Sequence, residues 1–197
     1  MARRYAITAV GNAILDLLRD ALPKQEFGTL PFPLYQTADL QKGLTGEGVG
    51  LYLYRIGVNG TRRNQPPRVD ANGKRYRPSL PLDLYYLLVP WAASAERQQL
   101  LLGWAMRVLE DTPILPAGLL NQHGPRHDVF AANETVELVC DPLSLQDLTN
   151  LWEALKPTVS LTVAYVARMV ALDSDVEMAD APLVQSRGFD SGKGPFL

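Results

Sequence analysis

Cysteine is nearly missing from this sequence. Cys140 is the only one in 197 residues, so no intrachain disulfide can form, and a chain without disulfides suits a reducing compartment such as the cytoplasm where it is made. Histidine is almost as scarce. His123 and His127 are four apart, the spacing of two zinc ligands on one helix, but Gly124-Pro125 between them breaks that helix and no third ligand adjoins. An excess of one charge is also lacking: 19 basic and 21 acidic residues leave a formal net charge of -2. That excludes a strong whole-molecule field toward nucleic acid or anionic membrane. Long hydrophobic runs are absent as well. The longest, Leu84 to Ala93, contains Pro90 and falls short of the roughly 18 to 20 residues of a membrane span. Arg3-Arg4 imitates the basic start of a signal peptide, but Asn12, Asp16, Arg19 and Asp20 interrupt the apolar residues that follow.

Catalytic patterns are missing too. There is no Gly-x-Ser-x-Gly elbow, and Cys140 lies in an apolar strand pattern where a thiol stays protonated. Glu110-Asp111 are adjacent carboxylates at a predicted helix end, which point about 100° apart. Gly46, Gly48 and Gly50 resemble a phosphate loop, yet such loops have a strand before and a helix after. Here a strand follows, so a turn is expected. No catalytic, metal or cofactor residue is assigned, and no small-molecule substrate or cofactor is expected.

What is present is a chain 47% hydrophobic, long enough to bury about two thirds of its unfolded surface in one core. Ala9, Val10, Ala13, Ile14, Leu17, Leu18, Ala21 and Leu22 recur at helical spacing, predicting an amphipathic helix over Thr8 to Leu22 that stops at Pro23. Gly28 to Gly48 reads as loop with at most one short strand. Strands are predicted over Val49 to Ile56, over the nearly continuous apolar Leu82 to Val89, and over the alternating Glu134 to Cys140. Ser94 caps a helix carrying Leu101, Trp104, Ala105, Val108 and Leu109 on one face. Gly118 to Asp128 reads as loop. Ser144 to Asp147 opens a second capped helix, with Leu148, Leu151, Trp152 and Leu155 inward, and Thr158 to Val170 is the last strand. Beyond Leu172 come Asp173, Asp175, Glu177 and Asp180 and then a polar end containing glycine, an arm without its own core. The division is a domain at 1–172 and an extended C-terminal arm at 173–197.

One segment stands out. Thr61 to Pro78 has no hydrophobic period and holds Arg62, Arg63, Arg68, Lys74, Arg75 and Arg77 against a single acid, Asp70. It is read as a long basic loop. Interleaved aromatics are lacking apart from Tyr76, and no recognition helix carries the charge, so no specific nucleic acid is expected. Guanidinium forks pair two-pronged with carboxylates, and Pro66-Pro67 stiffen the backbone, which favours a protein partner. The candidate protein interface is Arg62, Arg63, Asn64, Arg68, Lys74, Arg75 and Arg77, together with Phe196 and Leu197 as apolar anchors of the arm.

Residues alone give a soluble α/β (α+β) domain with a basic loop. The order of motifs adds more. Gly50 to Pro67 (GLYLYRIGVNGTRRNQPP), Pro78 to Ala92 (PSLPLDLYYLLVPWA) and Leu101 to Pro116 (LLGWAMRVLEDTPILP), then LTNLWEAL from Leu148 and PTVSLTVAY from Pro157, resemble the cap, or tail-terminator, proteins of extracellular contractile injection systems of the virulence-cassette and antifeeding-prophage type. The resemblance implies a single domain with a tail-terminator-like mixed β-sheet packed with helices. It implies a structural role without catalysis: a homo-oligomer, a hexameric ring, that binds the last sheath and inner-tube layers and ends their polymerisation. The other reading is a terminator or adaptor joining a contractile phage tail to its head connector. Either way the chain does not insert into a membrane, and its particle is assembled in the cytoplasm and can then be released.

Overall fold

A computed structural model describes residues 4–70, 72–122, 129–155 and 161–179. Helix α1 (Ala6–Asp20) leads into a one-turn helix α2 (Lys24–Phe27), a two-residue strand β1 (Leu34–Tyr35) and a short helix α3 (Thr37–Gln41). The long strand β2 (Gly48–Val58) follows, then the small strands β3 (Arg68–Val69) and β4 (Arg75–Tyr76), and the twelve-residue strand β5 (Leu80–Trp91). Helix α4 (Ala95–Asp111), strand β6 (Ile114–Pro116), helix α5 (Ala117–Gln122), strand β7 (Thr135–Cys140), helix α6 (Leu145–Leu155) and strand β8 (Val163–Leu172) complete it. The large sheet has six strands in the order β1-β2-β5-β8-β7-β6, while β3 and β4 form a separate two-stranded sheet. β1 runs parallel to β2 and every other pair is antiparallel.

Alternation along β5 explains its position at the centre. Leu82, Leu84, Tyr86 and Leu88 face the main core, which α1 and α4 complete with Val10, Ile14, Leu18, Leu101, Ala105 and Leu109. Leu87 and Val89 face the other side, where Leu40 of α3 and Leu155 of α6 cover them. A strand covered on both faces has no polar positions to alternate with, as its sequence indicates. The Tyr86 hydroxyl donates to the Ile7 carbonyl at 3.4 Å, tying α1 to the sheet, and burial pushes its pKa upward. Both expected caps are present. Ser94 Oγ accepts from the Arg97 amide at 3.2 Å, and Ser144 Oγ from the Asp147 amide at 3.1 Å.

The segment read as irregular, Gly28 to Gly48, contains α3 and β1 and is built by close approach. A Cβ at Gly48 would lie 2.5 Å from the Trp91 ring and 2.8 Å from the Pro31 carbonyl oxygen. One at Gly50 would lie 2.5 Å from the Tyr35 ring and 2.8 Å from the Pro33 carbonyl. These glycines admit a neighbouring backbone, and the Val49 and Leu51 amides donate to those same prolines. Gly118 to Gln122, read as loop, lies within α5. The basic segment Thr61 to Pro78 is likewise not a plain loop, since it folds into a 3-10 turn (Gly60–Arg62) and the β3–β4 hairpin.

Candidate protein interface

The hairpin is made by its one acid. Asp70 Oδ1 accepts from the amides of Asn72 and Lys74, both at 2.9 Å, and the Asp70 amide donates to the Lys74 carbonyl at 3.0 Å. Gly73 supplies the left-handed residue of the turn, with φ of 80°. Desolvation pushes the Asp70 carboxyl up, but the two backbone donors and the Tyr76 hydroxyl outweigh it, and its pKa falls below the ordinary value.

Two further devices fix the hairpin to the domain. The first is Asp83, the odd acid of the apolar strand. Asn59 Nδ2 donates to both of its oxygens at 3.1 Å, and the amide of Met169 donates to Oδ1 at 3.0 Å. The pairing of β5 with β8 slips between Leu82 and Leu84, and Met169 beside that slip has φ of 61°, uncommon for a residue with a side chain. Asp83 therefore satisfies the bulge and, through Asn59, holds the place where β2 turns into the basic segment. The second device is the acidic sequence after β8. The amide of Arg77 donates to the Val176 carbonyl at 3.0 Å, and that of Met178 to the Arg75 carbonyl at 2.8 Å, so this acidic stretch runs antiparallel beside β4, bridged to it at the single pair Tyr76 and Glu177. Ser79 Oγ donates to Asp173 at 2.6 Å, Arg68 Nε lies 3.6 Å from the same carboxylate, and Lys74 pairs with Glu177. The Arg68 guanidinium also sits 4.4 Å from the centre of the Tyr76 ring.

The candidate residues thus divide. Arg68 and Lys74 are engaged within the chain. Arg62, Arg63, Asn64, Arg75 and Arg77 are exposed, and the four arginines make no ion pair among the described residues. Phe196, Leu197, His123 and His127 lie outside the described residues. Between the hairpin and the start of β7 runs a groove of about 620 Å³, lined by Arg62, Gln65, Phe130, Glu134, Met169 and Asp173 among others. No three of His, Cys, Asp and Glu come together as a metal site among the described residues. Burial, then the charges of Glu110 and Asp141, push the Cys140 thiol up, away from the reactive thiolate. No described helix is long and apolar enough to cross a membrane.

The acidic strand was the element that residue-by-residue reading missed. Its signal is present: Asp173, Asp175 and Glu177 alternate with Ser174, Val176 and Met178, a strand period with charge opposite to that of the hairpin.

This architecture, a mixed sheet with helices on both faces, is shared with solved proteins. The chain is similar to the sheath/tube terminator of PVC, an extracellular contractile injection system, in its extended state, with a TM-score of 0.62 and 17% identity over 96% of this chain and 64% of that one. It is also similar to the tube-terminating cap of the anti-feeding prophage, with a TM-score of 0.56 and 16% identity over 91% of this chain and 60% of that one. The chain therefore spans less than two thirds of either solved protein. Residues 9–186 match the Pvc16 N-terminal domain, and the chain belongs to that family. No curated protein matches it in sequence.

Proposed function

We propose that this chain is a structural cap, forming a ring on the distal end of a contractile injection particle, where it binds the last sheath and inner-tube layers and stops their growth. The reading rests on the fold shared with two terminators, and the exposed guanidiniums of Arg62, Arg63, Arg75 and Arg77 supply its chemistry. A growing tube end presents unpaired protein surface, and a cap must match that surface while offering no copy of it. Arg75 and Arg77 belong to a hairpin held by Asp70 and the acidic stretch. Arg62, Arg63 and Asn64 lie in and after the 3-10 turn that follows Asn59, whose side chain Asp83 holds. Part of the ordering cost of pairing with carboxylates is thus already met. Phe196 and Leu197 are proposed as the arm's apolar anchors. The role needs no catalytic group and no cofactor; the particle is assembled in the cytoplasm and can leave the cell. No comparison favours a phage head adaptor.

The test adds purified protein to sheathed tubes and scores capped ends in negative-stain images. Arg62→Ala with Arg63→Ala should change unfolding stability by no more than about 0.5 kcal/mol, as for exposed sites, yet lower cap occupancy, and raised salt should weaken the wild type in the same direction. Undiminished capping by the double variant would remove these arginines from the mechanism.

A further inference from the structure

The two-stranded hairpin and the acidic stretch bridged to it have two unlike faces. Tyr76 stands opposite both Arg68 and Glu177, and directly opposed residues share a face. That face turns inward, with Arg68 over the Tyr76 ring and close to Asp173. The other face carries Val69, Arg75, Arg77, Val176 and Met178, all exposed, the three apolar ones at 59%, 51% and 38%. Aliphatic groups interleaved with arginines that make no ion pair among the described residues form a surface that a carboxylate-flanked apolar group would complement.

Such a group exists on the same chain. Leu145, the first residue of α6, is 79% exposed, the most exposed large apolar side chain among the described residues. Asp141 precedes it by four residues and Asp147 follows by two. Ser144 Oγ donates to Asp147 Oδ2 at 2.6 Å and accepts from its amide at 3.1 Å, which holds that carboxylate at the turn where Leu145 opens α6. The two surfaces lie at opposite ends of the sheet. The amide of Asp141 donates to the carbonyl of Ala164 near the start of β8, whereas the acidic strand follows Leu172 at its end. Eight residues at ~3.3 Å each separate these ends by about 26 Å.

We propose that the outward hairpin face of one copy receives the Leu145 knob, with its flanking Asp141 and Asp147, of a second copy. Surfaces at opposite ends of one molecule cannot meet within it, and the contact between copies is head to tail, the kind that repeats until it closes into a ring. The inference rests on the ring-forming reading but is testable without any particle.

The experiment places Leu145→Cys and Val176→Cys in one Cys140→Ala chain and treats it with a short bismaleimide. A ladder of covalent multimers is expected, while each single-cysteine chain gives at most dimers. Arg75→Glu with Arg77→Glu should reduce the ladder at least tenfold, and adding Asp141→Lys should restore part of it. Thermal unfolding checks that each variant folds, and if the reversed chain does not, the ladder of the double-cysteine chain at low and high salt is the readout instead. Absence of a ladder, a ladder insensitive to charge and salt, or one matched by a Glu96→Cys and Val176→Cys control overturns the proposal. So does preferential cross-linking to sheath or tube protein in a mixture. Rings that form by this contact yet leave tube ends bare would sink the cap reading and keep the contact.

Discussion

The central strands and the basic hairpin are joined end to end, but different forces hold them. β5 and β8 are covered on both faces around Leu84, Leu87, Leu88 and Ala164, where the removal of apolar surface from water dominates. None of the described hairpin residues belongs to the buried apolar core. It is held by an aspartate turn, an Asn59–Asp83 clasp and the opposite charges of the acidic strand. The first arrangement is costly to alter and indifferent to salt. The second opens locally, responds to ionic conditions and leaves its outer face for partners.

The largest contrast comes from truncating the core. Leu84→Ala leaves a cavity where no solvent enters, and a loss of about 2–5 kcal/mol in chemical denaturation is expected; a loss below 1 kcal/mol would mean that the sheet centre is looser than its burial indicates. A smaller effect should follow from Asp83→Ala, which leaves the Met169 bulge amide and Asn59 without their acceptor. About 1–3 kcal/mol is expected, and amide exchange should speed up in β3 and β4 while staying slow in the middle of β5. Equal acceleration in both regions would make the two one cooperative unit.

The smallest effect is acid sensitivity. Asp70 has a folded pKa below its ordinary 3.8, so the unfolded state binds the proton more readily. Its contribution is complete above about pH 4 and is lost as pH falls through the folded value. Titration followed by NMR should show the hairpin amides of Asn72 and Lys74 shifting in that window before the β5 amides do. Simultaneous loss would place the acid response in the core.

Much of the core was legible because each element carries its own period. The apolar run of β5, the Ser94 cap with the Leu101, Ala105 and Leu109 face, and the alternation of β7 are local patterns, and the structure has all three. The parts that escaped are short and depend on distant partners. β1 has two residues and exists because Gly48 and Gly50 let it approach. The hairpin strands are equally short, and Glu177 meets Lys74 across 103 positions of sequence. Of the candidate interface, the concentration of arginines was plain from composition. Which of them are already engaged was not, because that depends on a strand whose charge pattern is balanced only in space.

Both margins of the large sheet end in very short strands, Leu34–Tyr35 on one side and Ile114–Pro116 on the other. Pro31 and Pro33 precede the first, while Pro113 and Pro116 bracket the second. Proline brings no amide hydrogen, so Pro31, Pro33, Pro113 and Pro116 offer another chain no donor at these two short strands. For a protein whose proposed task is to bring a polymer to a halt, these prolines remove donors where a neighbouring strand would otherwise begin to pair.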